Sequence, residues 1–203
     1  MQHDHNSISF GFTDQHFPSG THVCQIYTSD EERQDSVLKF LLAGLQNEER
    51  TTCFSEKVQI TALKQLLEAE GIPFEKALQS GAVSLNGTRD VYFRDGCFDP
   101  EKMLLMLKEY HKGSQELGFK NARVIGEMTA EIEDVPGGER LLEYESRVSL
   151  LLRKHPITTV CQYSAHDFSG AVIMDVLKVH PFMVVRGSVI HNPFYIPPEQ
   201  FLS

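Results

Sequence analysis

The feature that most constrains the fold is the alternation of short apolar segments with longer amphipathic ones. Five short, mostly apolar segments are typical of buried strands, and they span residues 22–27, 51–55, 82–85, 122–127 and 158–163. Amphipathic segments lie between them, and alternating strands and helices are characteristic of a parallel sheet. The sequence therefore predicts an α/β fold, a three-layer sandwich whose central, mostly parallel sheet carries helices on both faces. A late hairpin is predicted over residues 183–190, around Gly187.

Local signals predict where the helices begin and end. Ser29 and Glu32 have the spacing of a capping box and open a helix whose apolar residues recur at helical spacing. Asp99 before Pro100 predicts the start of another helix, because an N-cap residue precedes a first-turn proline. Further helices are predicted over residues 59–70 and about 138–154. The tail, residues 192–203, contains three prolines and is predicted to lie across the surface as an extended strap.

Length and charge limit the classes of protein to which this chain could belong. Its 203 residues fit one domain, predicted over residues 20–203 after a flexible leader at 1–19. The formal net charge of -9 argues against direct nucleic-acid binding. No apolar run is long enough to cross a membrane, and the amino terminus lacks the pattern of a secretory signal. We therefore expect a cytoplasmic protein that contacts neither nucleic acid nor membrane.

The segment after the first predicted strand bears on nucleotide binding. A P-loop protein carries G-x-x-x-x-G-K-[ST] there, and its backbone amides and lysine hold phosphates. Here residues 28–36 read Thr-Ser-Asp-Glu-Glu-Arg-Gln-Asp-Ser and supply four carboxylates instead. Carboxylates repel a polyphosphate. The sequence thus predicts a protein that is not an enzyme and that senses or recognises something other than a nucleotide.

Three carboxylates are candidates for a binding site. Glu145 interrupts the apolar stripe of the helix predicted after Gly138, so it either lines a pocket or forms a structural pair with a core arginine such as Arg123. Glu127 and Glu56 follow strands, at the edge where open parallel sheets bind ligands. Either could instead be a surface carboxylate or a charge at a helix amino terminus.

Histidines and thiols offer a second set of candidates. His22 and Cys24 project from the same strand face, and together with Cys161 and His180 they could complete a tetrahedral metal site. None has the close spacing of a metal-binding motif, so reduced buried thiols and a hydrogen-bonded core histidine are favoured, and no metal or cofactor is predicted.

A mostly apolar pocket with polar tips is predicted at the carboxyl ends of the central strands. Its candidate lining comprises His22, Cys24, Tyr27, Glu56, Tyr92, Arg123, Glu127, Glu145, Cys161 and Tyr163. The alternative is a hydrolase, either nucleotide-dependent through Glu56 and Glu127 or metal-dependent through His22 and Cys24. A third reading is an interaction scaffold with a filled core.

The order of several motifs resembles the MEDS family, the sensory domain named for the methanogen and methylotroph regulator DcmR. The resemblance spans about residues 20–202 and rests on His22-x-Cys24-Gln25-Ile26-Tyr27, Phe40-Leu41-Leu42-Ala43-Gly44-Leu45, Arg123-Val124-Ile125-Gly126-Glu127-Met128, Tyr144-Glu145, Cys161-Gln162-Tyr163, His180-Pro181 and Asn192-Pro193-x-Tyr195.

That family is similar to the KaiC and RecA branch of P-loop proteins, which implies a RecA/KaiC-like fold with a degenerate phosphate loop. The resemblance also implies a noncatalytic sensor of a small hydrocarbon derivative or a similar small molecule. Its signal would pass to a histidine kinase, an anti-sigma factor or a DNA-binding regulator, and a homodimer is one possible assembly.

Overall fold

The computed structural model describes residues 7–203, and its centre is a seven-stranded sheet in the order β5-β4-β6-β7-β3-β8-β9. The strands are β1 (Ser7–Ser9), β2 (His16–Pro18), β3 (His22–Tyr27), β4 (Arg50–Phe54), β5 (Val83–Asn86), β6 (Ala122–Met128), β7 (Ile157–Ser164), β8 (Phe182–Val185) and β9 (Ser188–His191). The helices are α1 (Asp30–Gln46), α2 (Ile60–Ala69), α3 (Phe74–Gln79), α4 (Thr88–Tyr92), α5 (Pro100–Glu116), α6 (Leu141–Leu152), α7 (Gly170–Lys178) and α8 (Pro198–Phe201).

All neighbouring strands of this sheet are parallel except β8 and β9, which pair as an antiparallel hairpin. The predicted α/β class, the mostly parallel sheet and the late hairpin are therefore confirmed. Helices cover both faces and create two apolar cores. One core packs α5, α6 and α7 against the sheet, and the other packs α1, α2 and α3 against the opposite face.

The predicted capping signals act at the helix starts. The Ser29 hydroxyl accepts a hydrogen bond from the backbone N–H of Glu32, and α1 begins at the next residue, Asp30. The Asp99 carboxylate accepts from the N–H groups of Glu101 and Lys102, so α5 begins at Pro100. These side chains satisfy amide donors that have no partner inside the helix.

The amino-terminal segment differs from the prediction of a flexible leader over residues 1–19. Ser7–Ser9 pairs antiparallel with His16–Pro18, and Phe10 is wholly buried against Phe40 of α1. Residues 7–19 are thus held in place by apolar burial, which the polar composition of this stretch obscured. The remaining part of the predicted leader, residues 1–6, lies outside the described residues.

The carboxyl-terminal segment also differs from the prediction of an extended strap over residues 192–203, because Pro198–Phe201 form one helical turn. Arg153 forms an ion pair with Glu199 and ties this turn to the end of α6. Between residues 7 and 203, no helix combines the length and the apolar character required to cross a bilayer.

Candidate functional site

The prediction of a single pocket at the strand ends is wrong, because the predicted residues lie on two opposite faces of the sheet. Side chains alternate along a strand. His22 and Cys24 of β3 therefore lie on the face covered by α6, whereas Tyr27 lies on the face covered by α1. The register places Cys161 beside Cys24, and Glu127 lies on the α1 face near Tyr27. Two separate polar sites result.

The first site is the Glu127 network, formed by Glu127, Tyr27, Ser55, Arg33 and Lys57 at the carboxyl ends of the central strands. The Tyr27 hydroxyl donates to Glu127 Oε1 at 2.7 Å, and the Ser55 hydroxyl donates to Glu127 Oε2 at 2.6 Å. Arg33 Nη1 lies 3.8 Å from Oε2, and Lys57 Nζ lies 3.5 Å from Oε1. Burial and the hydrogen bond to Glu127 raise the pKa of Tyr27, so it remains a donor.

Arg33 connects this network to the start of α1. Its guanidinium is fully buried, and it donates to the Asp30 carboxylate, the Ser55 hydroxyl and the Lys57 carbonyl. Only Thr28 and Ser29 separate the end of β3 from the beginning of α1. This connection is too short to form a glycine-rich phosphate loop. In a P-loop protein, phosphate would bind at this position. Here the Arg33 guanidinium lies close to it and is paired with the Asp30 and Glu127 carboxylates.

A small cleft of about 250 Å³ opens beside Glu127. Its lining is polar and charged and comprises Glu56, Lys57, Thr88, Arg89, Glu127, Thr129 and Glu131. Glu56 was predicted as a ligand residue, and its Oε1 accepts a hydrogen bond from the backbone N–H of Arg89 in the first turn of α4. It therefore lines the cleft and also stabilises the amino terminus of that helix.

The second site is the Glu145 cluster, formed by Glu145, His22, Cys161, Tyr163 and His180 beneath α6. The Tyr163 hydroxyl donates to Glu145 Oε1 at 2.6 Å. The other carboxylate oxygen, Oε2, lies 3.3 Å from His22 Nε2, 3.5 Å from His180 Nε2 and 3.6 Å from Cys161 Sγ. Cys161 Sγ is itself 3.4 Å from His22 Nε2.

Burial sets the protonation states in the Glu145 cluster. Burial, together with the neighbouring His180, lowers the pKa of His22 to about 4, so this imidazole is neutral near pH 7. Burial and the nearby Glu145 carboxylate raise the pKa values of the Cys161 thiol and the Tyr163 hydroxyl. Near pH 7, Glu145 thus faces a neutral His22 imidazole, a protonated Cys161 thiol and a protonated Tyr163 hydroxyl, which is a strong donor.

Three further predicted residues fall outside both networks of contacts. Cys24 is buried on the α6 face of β3, and Tyr92 packs edge-on against Phe54 in the same core. Arg123 was predicted as a ligand residue, and it was also named as a possible structural partner of Glu145, which the structure contradicts. It lies on the α1 face, and its buried guanidinium pairs with Glu49.

Sequence reasoning missed Arg33, Ser55 and Ser149, which support the two sites. One signal could have found Arg33. It lies four residues before Val37 on the apolar stripe of α1, as Glu145 lies on the stripe of α6. A charge at such a position must be buried with partners.

The fold agrees with comparisons to known proteins. Residues 21–181 match the model of the family described as MEDS: MEthanogen/methylotroph, DcmR Sensory domain. Two solved structures share the fold at low sequence identity. The KaiC-like protein PH0186 from Pyrococcus horikoshii OT3 has a TM-score of 0.59 and 14% identity, over 88% of this chain and 79% of that one. The flagellar accessory protein FlaH from Methanocaldococcus jannaschii has a TM-score of 0.61 and 12% identity, over 92% and 84%. No curated protein matches the chain.

Proposed function

Because the chain belongs to the MEDS family of sensory domains, we propose that it is a noncatalytic sensor that binds a small molecule and relays a conformational change to a signalling protein. The observation that carries this proposal is the Glu127 network. A buried carboxylate stands at the ligand-binding edge of an open α/β sheet, with a small cleft beside it and with Arg33 at the start of α1.

The same edge has little capacity to hold a nucleotide. The first-turn amide of Glu32 is already bonded to Ser29, and Asp30, Glu31 and Glu32 place negative charge at the helix start. A nucleotide-dependent hydrolase would need donors and cations there. The negative charge and the bonded amide at the helix start therefore disfavour the hydrolase alternative through Glu56 and Glu127.

The ligand would be a small polar molecule or a small hydrocarbon derivative with a polar group. A cleft of about 250 Å³ is below the usual range for drug-sized ligands, so its occupant would be small. Lys57 is 56% exposed beside the buried Glu127, so the cleft offers an exposed cation and a buried carboxylate. A ligand with a donor or an anionic group could engage one or the other.

The relay would pass through Arg33. A ligand that draws Glu127 or Lys57 into its own contacts would weaken their hold on Arg33, whose guanidinium also bonds Asp30 in the first turn of α1. The ligand shifts the population of α1 arrangements by no more than its differential affinity for them. The recipient would be a histidine kinase, an anti-sigma factor or a DNA-binding regulator.

Native mass spectrometry of chain purified gently from its source cells tests the proposal. We expect an organic molecule to be retained as added mass on the wild-type chain and to be retained less on Glu127→Gln. Glu75→Gln is the matched control, because Glu75 is an exposed carboxylate of α3 whose contact is Lys64. Equal retention by Glu127→Gln and the wild type would place the ligand elsewhere, and a wild-type chain without added organic mass would count against the sensor.

A further inference from the structure

We propose that His22, Glu145, Cys161 and His180 form a binding site for a divalent transition-metal ion, with Zn²⁺ as the best match. Each residue offers one donor atom, and the four donor atoms all lie within 4.8 Å of one another. Each comes from a different part of the chain: β3, α6, β7 and the connection between α7 and β8. This proposal is independent of the sensory role and of the Glu127 cleft.

The donor spacing fits a tetrahedral ion. Zn²⁺ binds nitrogen and oxygen at roughly 2.0–2.2 Å and sulfur at roughly 2.3 Å, so the donors of a tetrahedral site are about 3.3–3.8 Å apart. Four of the donor pairs in the cluster lie at 3.3, 3.4, 3.5 and 3.6 Å. Glu145 Oε2 takes part in three of these pairs, which makes it the oxygen that would bind the ion.

The orientation of His180 is the observation that most directly supports a bound cation. Its Nδ1 lies 2.9 Å from the Val176 carbonyl, which can only accept, so Nδ1 carries a proton. The other ring nitrogen, Nε2, points toward Glu145. This atom is buried, has no hydrogen-bond partner and faces Glu145 Oε2 at 3.5 Å. A buried ring nitrogen that has no hydrogen-bond partner and faces a carboxylate oxygen is placed to bind the same cation as that oxygen.

The surrounding contacts are those expected of a metal site. Metal-binding histidines usually engage a second group through the other ring nitrogen, which fixes the ring. His180 does this with the Val176 carbonyl, and His22 does it through Nδ1, 2.9 Å from the Ser149 hydroxyl. Tyr163 occupies the second oxygen of Glu145 and so leaves Oε2 free to face the other donors.

Charge balance also favours a divalent ion. On binding, the Cys161 thiol would lose its proton to solvent and become a thiolate, since metals bind the deprotonated form. One divalent cation, one thiolate, one carboxylate and two neutral imidazoles sum to zero. A neutral assembly suits His22, Glu145 and His180, which are at most 2% exposed. The mixture of two nitrogens, one sulfur and one oxygen in a tetrahedron is most typical of zinc.

The test uses the full chain, stripped with a chelator and then titrated with Zn²⁺ and, separately, with Co²⁺. Wild type should bind one ion per chain, and Zn²⁺ at about 100 times its Kd should raise the Tm by about 5–10 °C. Co²⁺ should give the visible bands of a tetrahedral site and a near-ultraviolet thiolate band. Cys161→Ser should abolish the thiolate band, and His180→Gln should weaken binding by at least about 100-fold.

Cys24→Ser is the matched control, because Cys24 is a buried thiol on the same face of β3 as His22 but outside the set of four donors. It should bind the metal as wild type does. Circular dichroism establishes that each variant is folded. The proposal is overturned if wild type binds less than stoichiometric Zn²⁺, or if the thiolate band survives Cys161→Ser. It is also overturned if NMR shows metal-free His180 doubly protonated in an ion pair that Zn²⁺ does not displace.

Discussion

Neutralising Glu127 by the substitution Glu127→Gln tests how the Glu127 network is held together. Glutamine keeps the shape of the side chain and removes its charge. In the structure, each carboxylate oxygen accepts a short hydroxyl hydrogen bond, from Tyr27 at 2.7 Å and from Ser55 at 2.6 Å. Glutamine has one accepting oxygen and one donating NH2 group, so one hydroxyl would still donate to the side chain and the other would have to accept from it. Both bonds would then be neutral, and Arg33 would keep Asp30 as its remaining carboxylate partner, at 2.8 Å.

The expected loss of stability follows from those two bonds. A hydrogen bond to a charged group contributes about 1.5–3 kcal/mol, and a neutral bond contributes about 0.5–1.5 kcal/mol. Neutralisation therefore removes about 1–1.5 kcal/mol for each bond, or about 2–3 kcal/mol in all. For a chain of this length, that corresponds to a Tm lowered by about 4–12 °C. The domain should remain folded, since total stability is typically about 5–15 kcal/mol.

Urea unfolding followed by circular dichroism measures this change, with Glu75→Gln as the control. Glu75 is 65% exposed and pairs with Lys64 at 3.4 Å, so its neutralisation should change stability by less than about 1 kcal/mol. A Glu127→Gln variant as stable as the Glu75→Gln variant would refute the view that Glu127 organises the strand ends.

Three other predictions concern packing and buried charge. Gly44→Ala should lower the free energy of unfolding, measured in urea, by about 1–3 kcal/mol, because the new Cβ would clash with Thr51 Cγ2 and with the Arg123 side chain. Unchanged stability would contradict the close packing of α1 against the sheet. Glu49→Gln should lower the free energy of unfolding by about 3–5 kcal/mol, because it leaves the buried Arg123 guanidinium without its counter-charge. A decrease below about 1 kcal/mol would contradict that pairing. Burial lowers the pKa of His111, so this imidazole binds a proton less readily in the folded chain than in the unfolded chain. Its contribution to stability is therefore present above pH 6.5 and is lost as the pH falls. Urea unfolding across this pH range should show a smaller loss of stability in His111→Gln than in the wild type.

Much of the fold could be predicted because its signals are local. The spacing of apolar residues, the capping residues and the placement of glycine and proline predicted the central strands and the N-caps Ser29 of α1 and Asp99 of α5. The hairpin at residues 7–18 escaped prediction because its stabilisation is not local. Phe10 is buried by Phe40 of α1, a contact that composition alone does not reveal.

Individual residues of the two polar sites were predicted from the sequence, but their grouping into one pocket was wrong. Glu145, on an apolar stripe, was predicted to be a buried carboxylate in need of a partner, and Glu127, at a strand end, was predicted to be a candidate ligand residue. Strand parity could have separated Tyr27 from Cys24, because residues three apart on a strand face opposite ways. The partners themselves depend on tertiary packing. Nothing local to Glu145 indicates that His180, beyond α7, lies 3.5 Å away.

The most direct test of the central claim is a crystal of the chain soaked with Mg²⁺ and a nonhydrolysable ATP analogue. The account predicts no bound triphosphate at the start of α1, because Ser29 already occupies the first-turn amide of Glu32 and Arg33 is bound to Asp30 and Ser55. Electron density for phosphate oxygens held by the backbone amides of residues 29–36 would contradict the account.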